Sequence, residues 1–398
     1  MIPSGPMSAG QGGPSPVTAL DDDERLLQAS VREFAAGEVA PRSHAMDAAG
    51  AMDAALIRRL FDLGLMGLTI PEALGGSGGR FMHAVLAVEA LSAVDPSVGL
   101  LVDVQNTLVN GALLRWGTAD QQQRWLPELA SGAVGAYALS EAGAGSDAFA
   151  LETRAERTSD GYRLTGRKLW ITNAHEASLF IVFATIDRSL GHRGVTAFLV
   201  PRDTPGLRVG RKEDKLGIRA SSTCEVVLDG CQVGDEQVLG EPGRGYRVAM
   251  TTLNEGRIGI GAQMAGLAQG ALDHAMAHVR QRRQFGRALA GFQAVQFQIA
   301  RAATEVEAAR LMVYHAARLC DAGAPVITEG AMCKLFASET AERVASLAVN
   351  LLGGIGYVRE SPVERLYRDA KIGQIYEGTS NLQLQTIAKQ LLGPDAAS

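Results

Sequence analysis

Leu179-Phe180-Ile181-Val182-Phe183 and Val195-Thr196-Ala197-Phe198-Leu199-Val200 are short β-branched and aromatic runs in a chain that otherwise reads as helix. Such runs bounded by turn residues form strands. Two more runs flank them, Tyr162-Arg163-Leu164 and Glu225-Val226-Val227-Leu228. Ser159-Asp160-Gly161 is a hairpin turn, because glycine accepts a positive φ without steric cost. Pro201, Pro205 and several glycines separate the remaining runs. Residues 136–242 therefore read as a small antiparallel β domain.

Both flanks are helical. Asp21-Asp22-Asp23-Glu24 is an acidic, capped helix start. Ala54 through Leu65 follows with helical spacing, Pro71 and Gly75-Gly76-Ser77-Gly78-Gly79 form a loop, and residues 81–94 and 120–130 resume the helical pattern. Near the other end, Ile299, Ala302, Val306, Ala309, Val313, Ala316 and Cys320 recur at alternating steps of three and four, the seam of a helix bundle. A chain of 398 residues is too long for one core. The expected class is α+β: a Gly-, Pro- and Ser-rich disordered tail over residues 1–18, an all-α domain over 19–135, the β domain, and a helical bundle over 243–398.

Net charge is −5, which provides no general attraction to nucleic acid or an anionic membrane. The tail has no long apolar run, and the first arginine is Arg25, so neither a signal peptide, a membrane span nor an Arg-rich transit segment is expected. Cys224, Cys231, Cys320 and Cys333 form no CxxC pair, and no HExxH is present. His274 and His278 lie four apart, which on a helix reads as a polar face. No metal or disulfide framework is expected, and the reading is a cytoplasmic protein of a prokaryote. Gly259-Ile260-Gly261-Ala262-Gln263-Met264 lacks a third glycine and follows no strand, so it reads as helix packing rather than a dinucleotide fingerprint. No GxxxxGK phosphate loop occurs.

Five segments can carry chemistry. In Ile375-Tyr376-Glu377-Gly378-Thr379-Ser380 an apolar-aromatic pair can wall one carboxylate from water, and Gly378 would admit a substrate close to the backbone. Desolvation disfavours the charged form and raises the carboxyl pKa toward neutrality, which makes Glu377 a general-base candidate. In Ala138-Leu139-Ser140-Glu141-Ala142-Gly143-Ala144-Gly145-Ser146-Asp147, glycines and hydroxyls can meet an anion or a flat heterocycle, or form a plain Gly-Ser loop. In Lys168-Leu169-Trp170-Ile171-Thr172-Asn173, Trp170 can cover a ring or fill a core. Arg280-Gln281-Arg282-Arg283-Gln284-Phe285-Gly286-Arg287 suits either a solvated helix end or a pyrophosphate. Leu352-Gly353-Gly354-Ile355-Gly356-Tyr357 is a bundle turn, or a backbone that an adenosine tail approaches.

In this order and at these separations, the five segments resemble the acyl-CoA dehydrogenase family over residues 20–393. The short/branched-chain group is the nearest, through Lys215-Leu216-Gly217-Ile218-Arg219-Ala220-Ser221-Ser222-Thr223-Cys224 and Leu253-Asn254-Glu255-Gly256-Arg257-Ile258-Gly259-Ile260. The resemblance implies a C-terminal four-helix bundle, non-covalent FAD and a homotetramer built as a dimer of dimers. It implies that Ser140 and Thr172 hydrogen-bond the flavin ring, that Trp170 packs against it, that Ser146 lies near the pyrophosphate, and that Thr379 and Asn381 also touch the cofactor. Arg282, Phe285, Gln293 and Gly354 would reach the FAD bound mainly by a neighbouring subunit. Arg257 matches a family arginine beside the acyl pocket, with a structural or a substrate-binding role.

The chemistry so implied is α,β-dehydrogenation of a short-chain or 2-methyl-branched acyl-CoA. Glu377 takes the α-proton, a hydride goes to flavin N5, and electrons pass to an electron-transfer flavoprotein. The enolate oxygen would be held by the base residue's own N–H and a ribityl hydroxyl. Two departures stand out: Asn350 occupies a position where the family usually has Gln, Asp or Glu, and Gly256 occupies the position where some members carry their base on another helix. Gly256 cannot serve as a base, so the role falls to Glu377. An oxygen-using acyl-CoA oxidase and a DNA-associated flavoprotein of the same superfamily are the alternatives.

Overall fold

The computed structural model describes Val17 and residues 19–393; apart from Val17, the expected disordered tail lies outside the described residues. Helix α1 (Asp22–Phe34) opens on a capping box. Asp21 Oδ1 accepts from the Glu24 N–H at 2.9 Å, and Glu24 Oε2 accepts from the Asp21 N–H at 3.1 Å. There follow α2 (Ala40–Ala49), α3 (Ala54–Asp62), α4 (Phe81–Ser92), α5 (Pro96–Asp103), α6 (Gly111–Trp116) and α7 (Ala119–Ser131). Helices α5 and α6 are joined by a π-helical segment, Val104–Asn110, in which every residue is buried.

The sheet comprises β1 (Val134–Ala138), β2 (Arg154–Thr158), β3 (Gly161–Thr172), β4 (Ala177–Thr185), β5 (Val195–Pro201), β6 (Leu207–Lys212), β7 (Thr223–Val233) and β8 (Val238–Leu239). Its order is β6-β7-β3-β2-β4-β5-β8. The ladders are antiparallel except that β1 joins β4 in parallel, and Arg154 on β2 meets Thr185 on β4 in a single parallel pair. Strand β4 is buried on both faces for most of its length, which is why its sequence reads as a continuous apolar run.

The C-terminal helices are α8 (Gly245–Gln281), α9 (Gln293–Asp321), α10 (Ile327–Leu352), α11 (Pro362–Ala370) and α12 (Ser380–Leu392), with a hairpin of β9 (Arg283–Gln284) and β10 (Arg287–Ala288) after α8. Ala302, Val306, Ala309, Val313 and Ala316 of the α9 seam are buried. Small residues bring α8 close to α4: a Cβ on Gly266 would lie 2.2 Å from the Glu89 carbonyl oxygen. One apolar core links all three regions, combining Leu108 and Leu113 with Tyr137, Ile181 and Phe183 and with Ile260, Met264 and Ala341. Glu377 lies beside this core.

Candidate active site

Glu377 sits in the short turn between α11 and α12, with φ of 51°, and Gly378 follows with φ of 87°. A glutamate in the left-handed region is strained and persists only where its surroundings hold it. Two fully buried side chains do so. Gln383 Nε2, one turn into α12, donates to the carbonyls of Glu377 at 3.1 Å and Gly378 at 2.8 Å. Lys334 Nζ, on α10, donates to the Gly378 carbonyl at 2.6 Å. The preceding Tyr376 hydroxyl donates to Gln263 Oε1 on α8.

The carboxylate itself faces α8. Glu377 is half-buried as a residue, but its Oε2 is sealed from solvent and has no hydrogen-bond partner among the described residues. A Cβ built on Gly256 would lie 3.5 Å from that oxygen and 2.7 Å from Leu108 Cδ2. The missing side chain of Gly256 lets Leu108 and the Glu377 carboxylate pack directly against the α8 backbone. The expected apolar wall differs in its members: Ile375 is 52% exposed, and the enclosure comes from Leu108, Gly256 and the core-packed Tyr376. Burial pushes the Glu377 carboxyl up to about 7, against the pull of Arg257 and Lys334. Arg257 is buried, donates from Nη1 to Asn254 Oδ1 at 2.9 Å, and has no partner for Nε among the described residues. Burial, with Glu377 adding to it, drives the Asp103 carboxyl and the Tyr137 phenol well above their ordinary values. Glu255 pairs instead with Arg115. The arrangement offers one proton acceptor poised near neutrality and screened from bulk water.

Tyr137 ends this pocket on β1, three residues before Ser140. The Leu169 N–H donates to the Ser140 carbonyl at 2.9 Å, which ties the Ser140 loop to β3, the strand that carries Trp170 and Thr172. A buried ion pair locks the same junction: Lys168 Nζ lies 2.6 Å from Glu141 Oε1 and 3.0 Å from the Leu139 carbonyl. Trp170 has φ of 62° and is 60% exposed. Ser146 lies on the exposed end of the loop. Thr379 accepts from the Leu382 N–H at 3.4 Å as the cap of α12, and Asn381 is exposed in its first turn. Arg282, Phe285, Gln293 and Gly354 form no part of this pocket within one chain; all four are exposed, on the β9–β10 hairpin, the start of α9 and the turn after α10.

The family profiles described as acyl-CoA dehydrogenase N-terminal, middle and C-terminal domains match residues 21–133, 136–231 and 243–392. A probable short/branched chain specific acyl-CoA dehydrogenase of Dictyostelium discoideum is 51% identical over 95% of this chain and 92% of its own length. The chain belongs to the acyl-CoA dehydrogenase family. Among solved structures, butyryl-CoA dehydrogenase from Megasphaera elsdenii is 40% identical, with a TM-score of 0.93 over 94% of this chain and 99% of the other. A chain from structural work on the electron transferring flavoprotein of Acidaminococcus fermentans is 41% identical, with a TM-score of 0.93 over the same shares.

Acyl-CoA dehydrogenases are flavoprotein oxidoreductases, and the residues here fit a flavin. Cβ atoms on Gly143, Gly145 or Gly354 would meet nothing within 4 Å, and none of these residues has a positive φ. The fold itself therefore does not require glycine there, and the bare backbone leaves these positions open to close approach by a ligand. Ser380 Oγ and Gln383 Oε1 are further buried polar atoms with no partner among the described residues. Sequence reasoning missed Lys334, Gln383 and Asp103. The available signal was a lone lysine inside the apolar run Ala331-Met332-Cys333-Lys334-Leu335-Phe336, where a charge is costly unless it is used.

Proposed function

We propose that the chain carries out FAD-dependent α,β-dehydrogenation of a short-chain or 2-methyl-branched acyl-CoA to the 2-enoyl-CoA, with Glu377 as the base. The observation that carries this reading is the sealed, partnerless Glu377 Oε2, raised to about 7 and fronted by the bare Cα of Gly256. In this reading a bound thioester presents its α-carbon to the Glu377 carboxylate, which takes the α-proton; Gly378 serves the turn instead of the substrate, since a Cβ there would lie 2.7 Å from Gln383 Nε2. Nothing among the described residues accepts from the Glu377 N–H, which leaves it free to donate to the thioester oxygen as negative charge develops there. Arg257 offsets the carboxylate's charge from α8. The chemistry that FAD supplies is acceptance of the hydride leaving the β-carbon.

Ser140 and Thr172 would hold the flavin ring, with Trp170 against it, Ser146 near the pyrophosphate, and Thr379 and Asn381 alongside. Arg282, Phe285, Gln293 and Gly354 would serve a neighbouring protomer's cofactor. Their exposure, together with that of Phe297, Ile355, Tyr357, Leu391 and Leu392, supports contact with neighbouring protomers, and the family reading makes the assembly a homotetramer arranged as a dimer of dimers. The electron acceptor in this reading is an electron-transfer flavoprotein, in line with the Acidaminococcus fermentans similarity. The working units are residues 19–135, 136–242 and 243–398. No helix among the described residues is long and apolar enough to cross a membrane, and the four cysteines are unpaired, which suits a reducing compartment; the cytoplasm is the one proposed.

The test is a panel of straight and 2-methyl-branched acyl-CoA thioesters of increasing length, oxidised with an artificial electron acceptor. Turnover confined to the short and branched members is expected. Turnover of none of them would refute the reading, and fast reoxidation of the reduced flavin by oxygen alone would replace the flavoprotein acceptor with an oxidase.

A further inference from the structure

Lys334 is fully buried on α10, yet among the described residues no carboxylate comes within ion-pair distance of its Nζ. Its hydrogen bond goes to a backbone carbonyl, that of Gly378, directly after the proposed base. A lysine kept in the interior against the cost of desolvation, and spent on a carbonyl, needs a reason that a neutral donor would not meet. Gln383 already supplies neutral donors to the same turn. Arg257 supplies a positive charge near the carboxylate, but its hydrogen bond goes to Asn254 and not to the turn. Lys334 alone combines a grip on the turn with a charge beside the carboxylate.

We propose that Lys334 is a positioning residue for the Glu377 base: its ammonium pins the left-handed Glu377–Gly378 turn and supplies positive charge that keeps the carboxylate ionised. This rests on the reading of Glu377 as the base. The groups facing Glu377 are Asp103 from α5, Tyr137 from β1, Arg257 from α8, Lys334 from α10 and Tyr376 from its own segment. Two of these are cations and favour the ionised carboxylate; a charged Asp103 or Tyr137 would oppose it. Burial pulls the Lys334 ammonium down to about 8, with Glu377 favouring its charge and Arg257 opposing it, so the charge is in place through neutral pH and is lost above about 8. Removing the Lys334 charge leaves Arg257 alone against burial, so Glu377 must hold its proton to a higher pH.

Two substitutions separate the roles. Lys334→Gln keeps a donor for the Gly378 carbonyl and removes the charge; Lys334→Met removes both. The readouts are an infrared titration of the Glu377 carboxyl, with Glu377→Gln as the difference reference, and the pH profile of kcat/KM on a short acyl-CoA. In both variants the Glu377 titration and the acidic limb should move up by about one pH unit or more. Only Lys334→Met should also lose kcat on the high-pH plateau, since only it frees the turn. An unmoved Glu377 titration in a folded variant overturns the proposal, and if Lys334→Met does not fold, Lys334→Gln decides it. Failure of the underlying reading looks different: Glu377→Gln would then keep its turnover, whatever the Lys334 variants do.

Discussion

At the scale of single residues, the Glu377 carboxyl ties activity and stability to opposite ends of the pH range. A base must be unprotonated to work, so a carboxyl raised to about 7 predicts kcat/KM rising through that pH and collapsing below it. The same shift destabilises the fold. The unfolded carboxyl titrates near 4.3, so between these values the folded state binds the extra proton. The stabilising contribution is complete below the unfolded value and is lost as pH rises through about 7. Glu377→Gln, which cannot ionise, is therefore expected to melt above the parent protein at pH 8 and level with it at pH 4, as thermal denaturation at the two pH values would show. The enclosure of Glu377 was legible in the sequence because it is partly local, in the core-packed Tyr376. Lys334 and Gln383 were not, since what recommends them is a hydrogen bond to the turn; the Lys334 bond spans 44 residues of sequence. Ile375 was misjudged for a related reason: an apolar neighbour in sequence need not cover a side chain in space.

At the scale of elements, the decisive joint is between β1, the Ser140 loop and β3. Lys168 and Glu141 are both buried, and the Glu141 carboxylate also accepts from the backbone N–H groups of Glu152 and Thr153. Removing one member leaves the other charged and unpaired. Lys168→Met is expected to cost about 3–5 kcal/mol of unfolding free energy in urea titration. A loss below about 1 kcal/mol, the range of exposed pairs, would mean that the pair does not hold the loop. The strands themselves, the Ser159-Asp160-Gly161 turn and the α9 seam could be read from alternation, glycine and the step of three and four, because these are local rules. The parallel placement of β1 beside β4 could not, since it depends on chain paths separated by about forty residues, from Val134 to Ala177. The π-helical segment Val104–Asn110 left no signature in residue type, though it delivers Leu108 to Gly256.

At the scale of the whole molecule, one chain builds the proposed base and part of the proposed flavin site but leaves Arg282, Phe285, Gln293 and Gly354 exposed. Phe285 is 93% exposed with φ of 50°, a strained and solvated aromatic whose ring meets Phe292 edge-on. Arg282→Ala is expected to retain the fold but release flavin on gel filtration, because the charge that it would place on a partner's pyrophosphate is gone. Unchanged flavin content would remove the residue from the cofactor site. The three-part order of the fold was legible because each part has its own period, whereas the homotetramer rests on the resemblance alone, since a surface reads alike whether water or another copy covers it. The regions converge on one carboxylate, and its removal is the most direct test of all. Glu377→Gln, matched to the parent protein in bound flavin and in acyl-CoA affinity, is expected to turn over a short acyl-CoA about 10²- to 10⁴-fold more slowly; near-parental turnover would contradict the assignment of Glu377 as the base.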